Sequence, residues 1–229
     1  MRHTLASAII IDIADVLTDE ERNDQEAIAL VRQIVATAGQ RVTEEALRKA
    51  ETFAINSFAP SPFEAMIFKL VNRDTTLALR CISAFRKNFN PITNLRKDAP
   101  DILQACKDRG WKIATPSRLS DEQAGALERA RILQMIDVAG PPGGMKIELP
   151  DPRVLEFLVG TLGATPGECI MLGTRLDNDI RPANMIRMTT IHLQQGRHGK
   201  NQLPRDLKDV PDYEAPDVQA LLHVLPTVV

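Results

Sequence analysis

At 229 residues the chain is long enough for one large domain or two modest ones. A net charge of −2, from 28 basic and 30 acidic residues, carries no bias toward polyanions. The 4% aromatic content, with one Trp and one Tyr, argues against a base-stacking surface, so nucleic acid is not an expected partner. Cys81, Cys106 and Cys169 are far apart and in no CxxC arrangement, which reads as reduced core cysteines and predicts a cytoplasmic protein. The apolar stretch of "MRHTLASAIIIDIAD" is too short to span a bilayer, is broken by Asp12 and does not make a secretory signal, so no membrane partner is expected.

In chain order, "SAIII" (7–11) is a β-branched run that suits a strand buried on both faces. The texture then turns helical. "DQEAIALVRQIVATAG" puts Ile28, Val31, Ile34 and Val35 on one stripe and stops at Gly39. "TEEALRKAETFAINSF" opens on Thr43 as a cap candidate with acids in the first turn, and "PSPFEAMIFKLVNRD" and "TTLALRCISAFRKNF" continue in the same manner. Residues 18–92 therefore read as an all-helical unit.

From Pro100 the pattern alternates. "PDILQACKDRG" is a helix closed by Gly110, "WKIATP" a strand, "SDEQAGALERARIL" a helix capped at Ser120, and "MIDVAG" a strand. "DPRVLEFLVGTLG" is a helix with Pro152 in its first turn, followed by "CIMLG" as a strand, "DIRPANMIRM" as a short helix and "TTIHL" as a strand. The polar, Pro-rich "GRHGKNQLPRDLKDVPDYEAP" reads as surface loop before a last helix, "DVQALLHVL". Strands alternating with helices predict an α/β fold with a parallel, Rossmann-like sheet covered on both faces. The expected division is a core of residues 1–17 and 93–229 and an inserted helical domain of residues 18–92. Such sheets bind ligands at the carboxyl ends of their strands, where an inserted unit would act as a lid.

Those strand ends hold the reactive candidates. Asp12 directly follows the first run; a carboxylate there serves as a nucleophile, a metal ligand or a plain turn cap. Ser117 and Arg118 precede a helix start, where a hydroxyl and backbone N–H groups suit an anion; a cap and a solvated Arg are the alternative. "GGMKIELPDP" offers Lys146, and "GTRLDNDI" offers Asp177 and Asp179.

Their order resembles the haloacid dehalogenase (HAD) superfamily, in its helical-cap (C1-type) branch. "IIIDIADVL" is similar to the first motif, Asp-x-Asp-Gly-Thr/Val-Leu, and "DAPDILQACKDRGWKIATPSR" to the approach to the second, which ends in Ser/Thr. "LPDPRVLEFLVGTLGATPGECIMLGTRLDNDIRPA" is similar to the third and fourth, Lys-Pro-Asp-Pro and Gly-Asp-x-x-x-x-Asp. The resemblance implies a hydrolase of phosphatase ancestry acting on a small anionic metabolite. It matches Asp12 to the nucleophile, Ser117 to the second-motif hydroxyl and Asp179 to the second acid of the fourth motif. It implies Mg²⁺ held by Asp12, the backbone carbonyl of Ala14 and, weakly, Asp179. The departures are as informative. Ala14 stands at the acid/base position, Leu149 at the lysine position and Thr174 at the principal metal-acid position. The expectation is weakened Mg²⁺ binding, no other cofactor, and weak or absent turnover, with Arg118 or Lys146 as stand-ins for the missing cation. Asp15, at the usual Gly position, is not assigned the acid role, and His192 reads as packed or bonded to a loop. The alternatives are a non-catalytic metabolite- or protein-binding member and a 2-haloacid dehalogenase-like hydrolase.

Overall fold

The computed structural model describes residues 5–142 and 147–227. Six strands form one sheet: β1 (Ala8–Ile11), β2 (Lys112–Thr115), β3 (Val138–Ala139), β4 (Cys169–Gly173), β5 (Thr189–Leu193) and β6 (Tyr213–Ala215). The order is β3-β2-β1-β4-β5-β6 and every pairing is parallel. Parallel strands need crossovers, and the alternating helices supply them.

Every residue of β1 is buried, because the sheet is covered on both sides. Ile9 and Ile11 join Ile113, Ile170 and Leu172 on one face, under α5 (Ala99–Lys107) and α10 (Val218–Val224). Ala8 and Ile10 face the other way, with Ala114, Cys169 and Met171, under α7 (Pro152–Leu162). The three cysteines are buried and free. Helix α6 (Asp121–Arg129) starts on a capping box, in which Ser120 Oγ accepts from Gln123 N at 3.1 Å and Gln123 Oε1 from Ser120 N at 2.9 Å.

The stretch 196–216 corrects the sequence reading. It is not plain surface loop: it contains a short helix α9 (Gly196–Asn201) and the edge strand β6. Three residues flanked by prolines carry too little periodicity to signal a strand, and sheet edges tolerate that composition. Tertiary pairing decides it, with Ile191 opposite Tyr213 and Asp212 Oδ2 accepting from Thr190 N at 2.9 Å.

The chain divides into two compact units, one of residues 1–20, 93–200 and 204–229, the other of residues 21–92 with 201–203. The second contains α1 (Glu21–Thr37), α2 (Glu44–Asn56), α3 (Pro62–Leu70) and α4 (Thr75–Asn88), packed on their own apolar core. In α1 the buried face is Ala27, Val31 and Val35, while Ile28 and Ile34 are half-buried beside it. Thr43 Oγ1 caps α2, accepting from Ala46 N at 3.1 Å. In the first unit, the residues flanking the insertion run side by side: Thr18 bridges antiparallel to Leu95, and Asp19 N donates to Asn94 O at 2.8 Å. Among the described residues no helix is long and apolar enough to cross a membrane.

Candidate functional site

In this strand order the direction in which successive strands are added reverses between β1 and β4, where parallel α/β sheets hold their ligands at the carboxyl ends. Asp12 stands there, its N–H donating to Leu172 O of β4 at 2.9 Å. Enclosure by protein raises its carboxyl well above the usual carboxylate range; Asp179 adds to the rise and Arg175 opposes it. Ala14 is exposed two residues later. Asp15 takes a left-handed backbone, φ 59°, which Asp tolerates better than most residues. Its Oδ1 accepts from Glu20 N at 3.3 Å, and it lies against Gly196, where a Cβ would fall 1.9 Å from Oδ2. The carboxylate is thus committed to packing on its own side of the turn.

The chain leaving β4 makes the other wall. After Gly173 comes Thr174, whose Oγ1 donates to Ala14 O at 3.5 Å, the long edge of a hydrogen bond. His192 of β5 donates from Nε2 to Thr174 O at 3.1 Å, and burial, opposed by that bond, lowers its pKa from the ordinary value. Residues Leu176–Ile180 form a single π-helical turn leading into α8 (Arg181–Met185). Such turns concentrate at functional sites.

Asp179 is completely buried and accepts three hydrogen bonds, from Thr174 N at 3.0 Å, Arg175 N at 2.9 Å and Asn178 Nδ2 at 2.9 Å. A side chain on Gly173 would put its Cβ 2.3 Å from Asp179 Oδ2, so this close approach requires glycine. Burial pushes the Asp179 carboxyl up to about 6 despite those donors. Asp177 is buried. It holds the Arg175 guanidinium in two contacts, Nη2 to Oδ2 at 2.6 Å and Nε to Oδ1 at 3.2 Å.

Ser117 and Arg118 are exposed and line a neighbouring cleft of about 360 Å³ with Glu148, Leu149 and Asn178. The Ser117 carbonyl accepts from Thr115 Oγ1 at 2.9 Å. Asp12 does not line this cleft; the link between the two groups is Asn178, which also binds Asp179. Leu149 packs half-buried against the α7 side of the core. Lys146 lies outside the described residues.

Sequence reasoning missed Arg175 and His198. The signal for the first is an Arg two residues before Asp177 in a tight turn. His198 was hidden in the segment read as loop. Burial, then the charges of Arg175 and Arg197, push its pKa down to about 3, and its Nε2 has no hydrogen-bond partner among the described residues.

The donor set can be tested against Mg²⁺, which wants near-octahedral oxygen ligands. Among the described residues no cluster of three or more His, Cys, Asp or Glu is arranged to hold a metal. Asp179 is engaged with three donors, and a hydroxyl, not a carboxylate, faces the Ala14 carbonyl. These residues do not fit a tightly held Mg²⁺.

The sheet is parallel throughout, an aspartate leads off its central strand, and a second acid turns back under the next. The family model for haloacid dehalogenase-like hydrolases matches residues 6–186, and the chain belongs to that family. Phosphatases of the family use Mg²⁺ and act on small phosphorylated metabolites. The chain is 24% identical over 228 residues, 96% of its length and 97% of the relative's, to glyceraldehyde 3-phosphate phosphatase of Methanopyrus kandleri. It is 32% identical over 72 residues, 31% of each chain, to (S)-2-haloacid dehalogenase 4A of Burkholderia cepacia. Among solved structures it shares the fold of a predicted phosphatase from Clostridium acetobutylicum, with TM-score 0.66 and 18% identity over 98% of this chain and 100% of the other.

Proposed function

We propose that this chain is a phosphatase-derived member of its family that binds a small anionic metabolite beside Asp12 and turns it over weakly or not at all. The observation that carries this reading is the Thr174 hydroxyl on the Ala14 carbonyl, at the point where the family's phosphatases seat a metal. Ala14 cannot move a proton, and a positioned acid/base is worth about 10²- to 10⁴-fold. Leu149 supplies no cation, so the electrostatic stabilisation of a charged transition state, often the largest single contribution, is reduced. An ionised Asp12 would also repel an incoming dianion: at about 4 Å and an effective dielectric of about 20, each charge pair contributes roughly 4 kcal/mol. Asp12 keeps the nucleophile's position, Ser117 and Arg118 are assigned to substrate binding in the adjoining cleft, and the helical unit to substrate selection.

The test is a panel of small phosphate esters assayed with and without Mg²⁺. Glyceraldehyde 3-phosphate comes first, because it is the substrate named for a relative matched over nearly its full length. Turnover near background, with ligand-induced thermal stabilisation that ignores Mg²⁺, supports the reading. Robust Mg²⁺-dependent turnover abolished by Asp12→Asn overturns it. Restoring Ala14→Asp, Leu149→Lys and Thr174→Asp together should raise phosphatase activity; a folded triple variant with no gain would mean that the site is wrongly assigned.

A second reading rests on the same metal-poor geometry. Attack of an Asp12 carboxylate on the halogen-bearing carbon of a 2-haloacid would displace halide without metal or second acid, and the partial likeness to a 2-haloacid dehalogenase points the same way. Leu149 counts against it. Halide release from 2-haloacids decides.

A further inference from the structure

Resting on the anion-binding reading above, we infer that Arg175 is the resident cation of this site: its guanidinium receives an oxyanion beside Asp12, and no divalent metal is needed. Four observations carry this. First, position: Ile11, the last residue of β1, is the register partner of Leu172, one residue before the end of β4; Asp12 N donates to Leu172 O, and Arg175 is three residues further along. Its backbone N–H is fixed on Asp179 Oδ2 at 2.9 Å, so the residue cannot drift from the strand end. Second, orientation: Asp177 takes Nε and Nη2, which is one edge of the planar guanidinium. Nη1 has no acceptor among the described residues, so the end-on edge, Nη1 with the remaining Nη2 proton, is left for a ligand. Two parallel donors in one plane match the two oxygens of a carboxylate or a phosphoryl group.

Third, access: the Arg175 side chain is 21% exposed, enclosed enough to act in a poorly hydrated setting and open enough to be reached. Fourth, the competing explanation for that Arg is weak. An Arg buried only to neutralise Asp177 would leave Asp179 and Asp12 without a counter-charge at the same strand ends; its charge acts on all three. Arg118, the other described candidate, is exposed and lines the neighbouring cleft. Within this site Arg175 is therefore a binding residue, and Asp177 positions it.

Calorimetric titration of the whole chain with inorganic phosphate and, separately, with lactate tests this, at fixed ionic strength, in EDTA and in Mg²⁺. The two anions distinguish a phosphorylated ligand from an organic acid. The expected result is saturable binding of at least one of them, unchanged by Mg²⁺, with no saturable heat when Mg²⁺ is titrated alone. Arg175→Gln should weaken that binding about 10- to 100-fold, the worth of charge-assisted hydrogen bonds, and Arg175→Lys should retain part of it. Binding that requires Mg²⁺, or a folded Arg175→Gln variant that binds as tightly as the parent, overturns this inference and leaves the anion-binding reading standing. No binding under any condition overturns both. Should Arg175→Gln not fold, the EDTA and Mg²⁺ titrations of the parent chain still decide.

Discussion

Two arginine–aspartate clusters lie within the α/β unit, and they use similar parts differently. In one, buried Asp209 accepts from Arg205 N at 2.9 Å and Asp206 N at 3.3 Å, and pairs directly with Arg181 Nη1 at 2.7 Å, while Arg181 also grips Asp206. In the other, buried Asp179 is cradled by two backbone N–H groups and an amide, and the nearby Arg175 is turned to Asp177. The first buried acid meets its cation directly; the second has only neutral hydrogen-bond donors in contact. A directly paired cluster is a lock that ties α8 to the loop before β6. A cluster whose cation is held by a third residue keeps charge available for something else, at a cost in stability.

That contrast can be broken, and the largest effect should come from the lock. Asp209→Asn should destabilise by about 2–4 kcal/mol, measured by urea denaturation, because it removes a buried ion-pair partner and one face of an N–H cradle. A cost under about 0.5 kcal/mol, the scale of an ordinary surface substitution, would erase the distinction.

The next effect is read through pH. For Asp179 the folded pKa, about 6, exceeds the unfolded value, so the folded state holds its proton more tightly. The associated stability is fully present below about pH 4 and is lost as pH rises through the folded value, a swing of about 2–3 kcal/mol. Asp12 acts in the same direction. Carboxylates held low by partners, such as Asp98 beside Arg96, slope the opposite way, so the informative quantity is a difference. Asp12→Asn should raise the melting temperature near pH 7 and leave it unchanged near pH 4. A gain equal at both would mean that ionisation is not the cause.

Smaller again, Gly173→Ala should cost about 1–3 kcal/mol through the collision with Asp179, and it should reduce anion binding in proportion to the lost cradle. Normal stability in that variant would mean that the loop adjusts freely. Last, Ser120→Ala should cost about 1 kcal/mol at every pH, since its capping box involves no ionisable group. It is the flat baseline against which the Asp12 slope is judged.

The sequence made most of the fold legible, for identifiable reasons. The run "AIII" suits a strand buried on both faces and forms one, and "CIMLG" and "TTIHL" match β4 and β5 residue for residue. Ser120, Thr43 and Pro152 announced their helices through local chemistry that needs no tertiary context. Strand β6 was illegible because pairing, not composition, makes it a strand. At the site, motif spacing brought Asp12 and Asp179 to notice, and both stand at the carboxyl end of the sheet. What spacing could not convey was side-chain direction. The partner choice of Asp177 and the saturation of Asp179 depend on a π-helical turn that no periodicity encodes. Arg175 went unnoticed because its importance lies entirely in which way that turn faces it.

The paired crossings have a consequence of their own. Thr18 and Leu95 close the first unit where the chain leaves and re-enters it, and within the helical unit Asn23 stitches its own two ends by donating to Ile92 O at 2.8 Å and accepting from Ile92 N at 3.0 Å. Each module thus zips its own seam. The entropy of bringing those ends together is already met within each module, so changes of helix length away from the seam and away from Asn56, which accepts from Leu203 N at 2.9 Å and holds residues 201–203 to the same unit, should cost the sheet little.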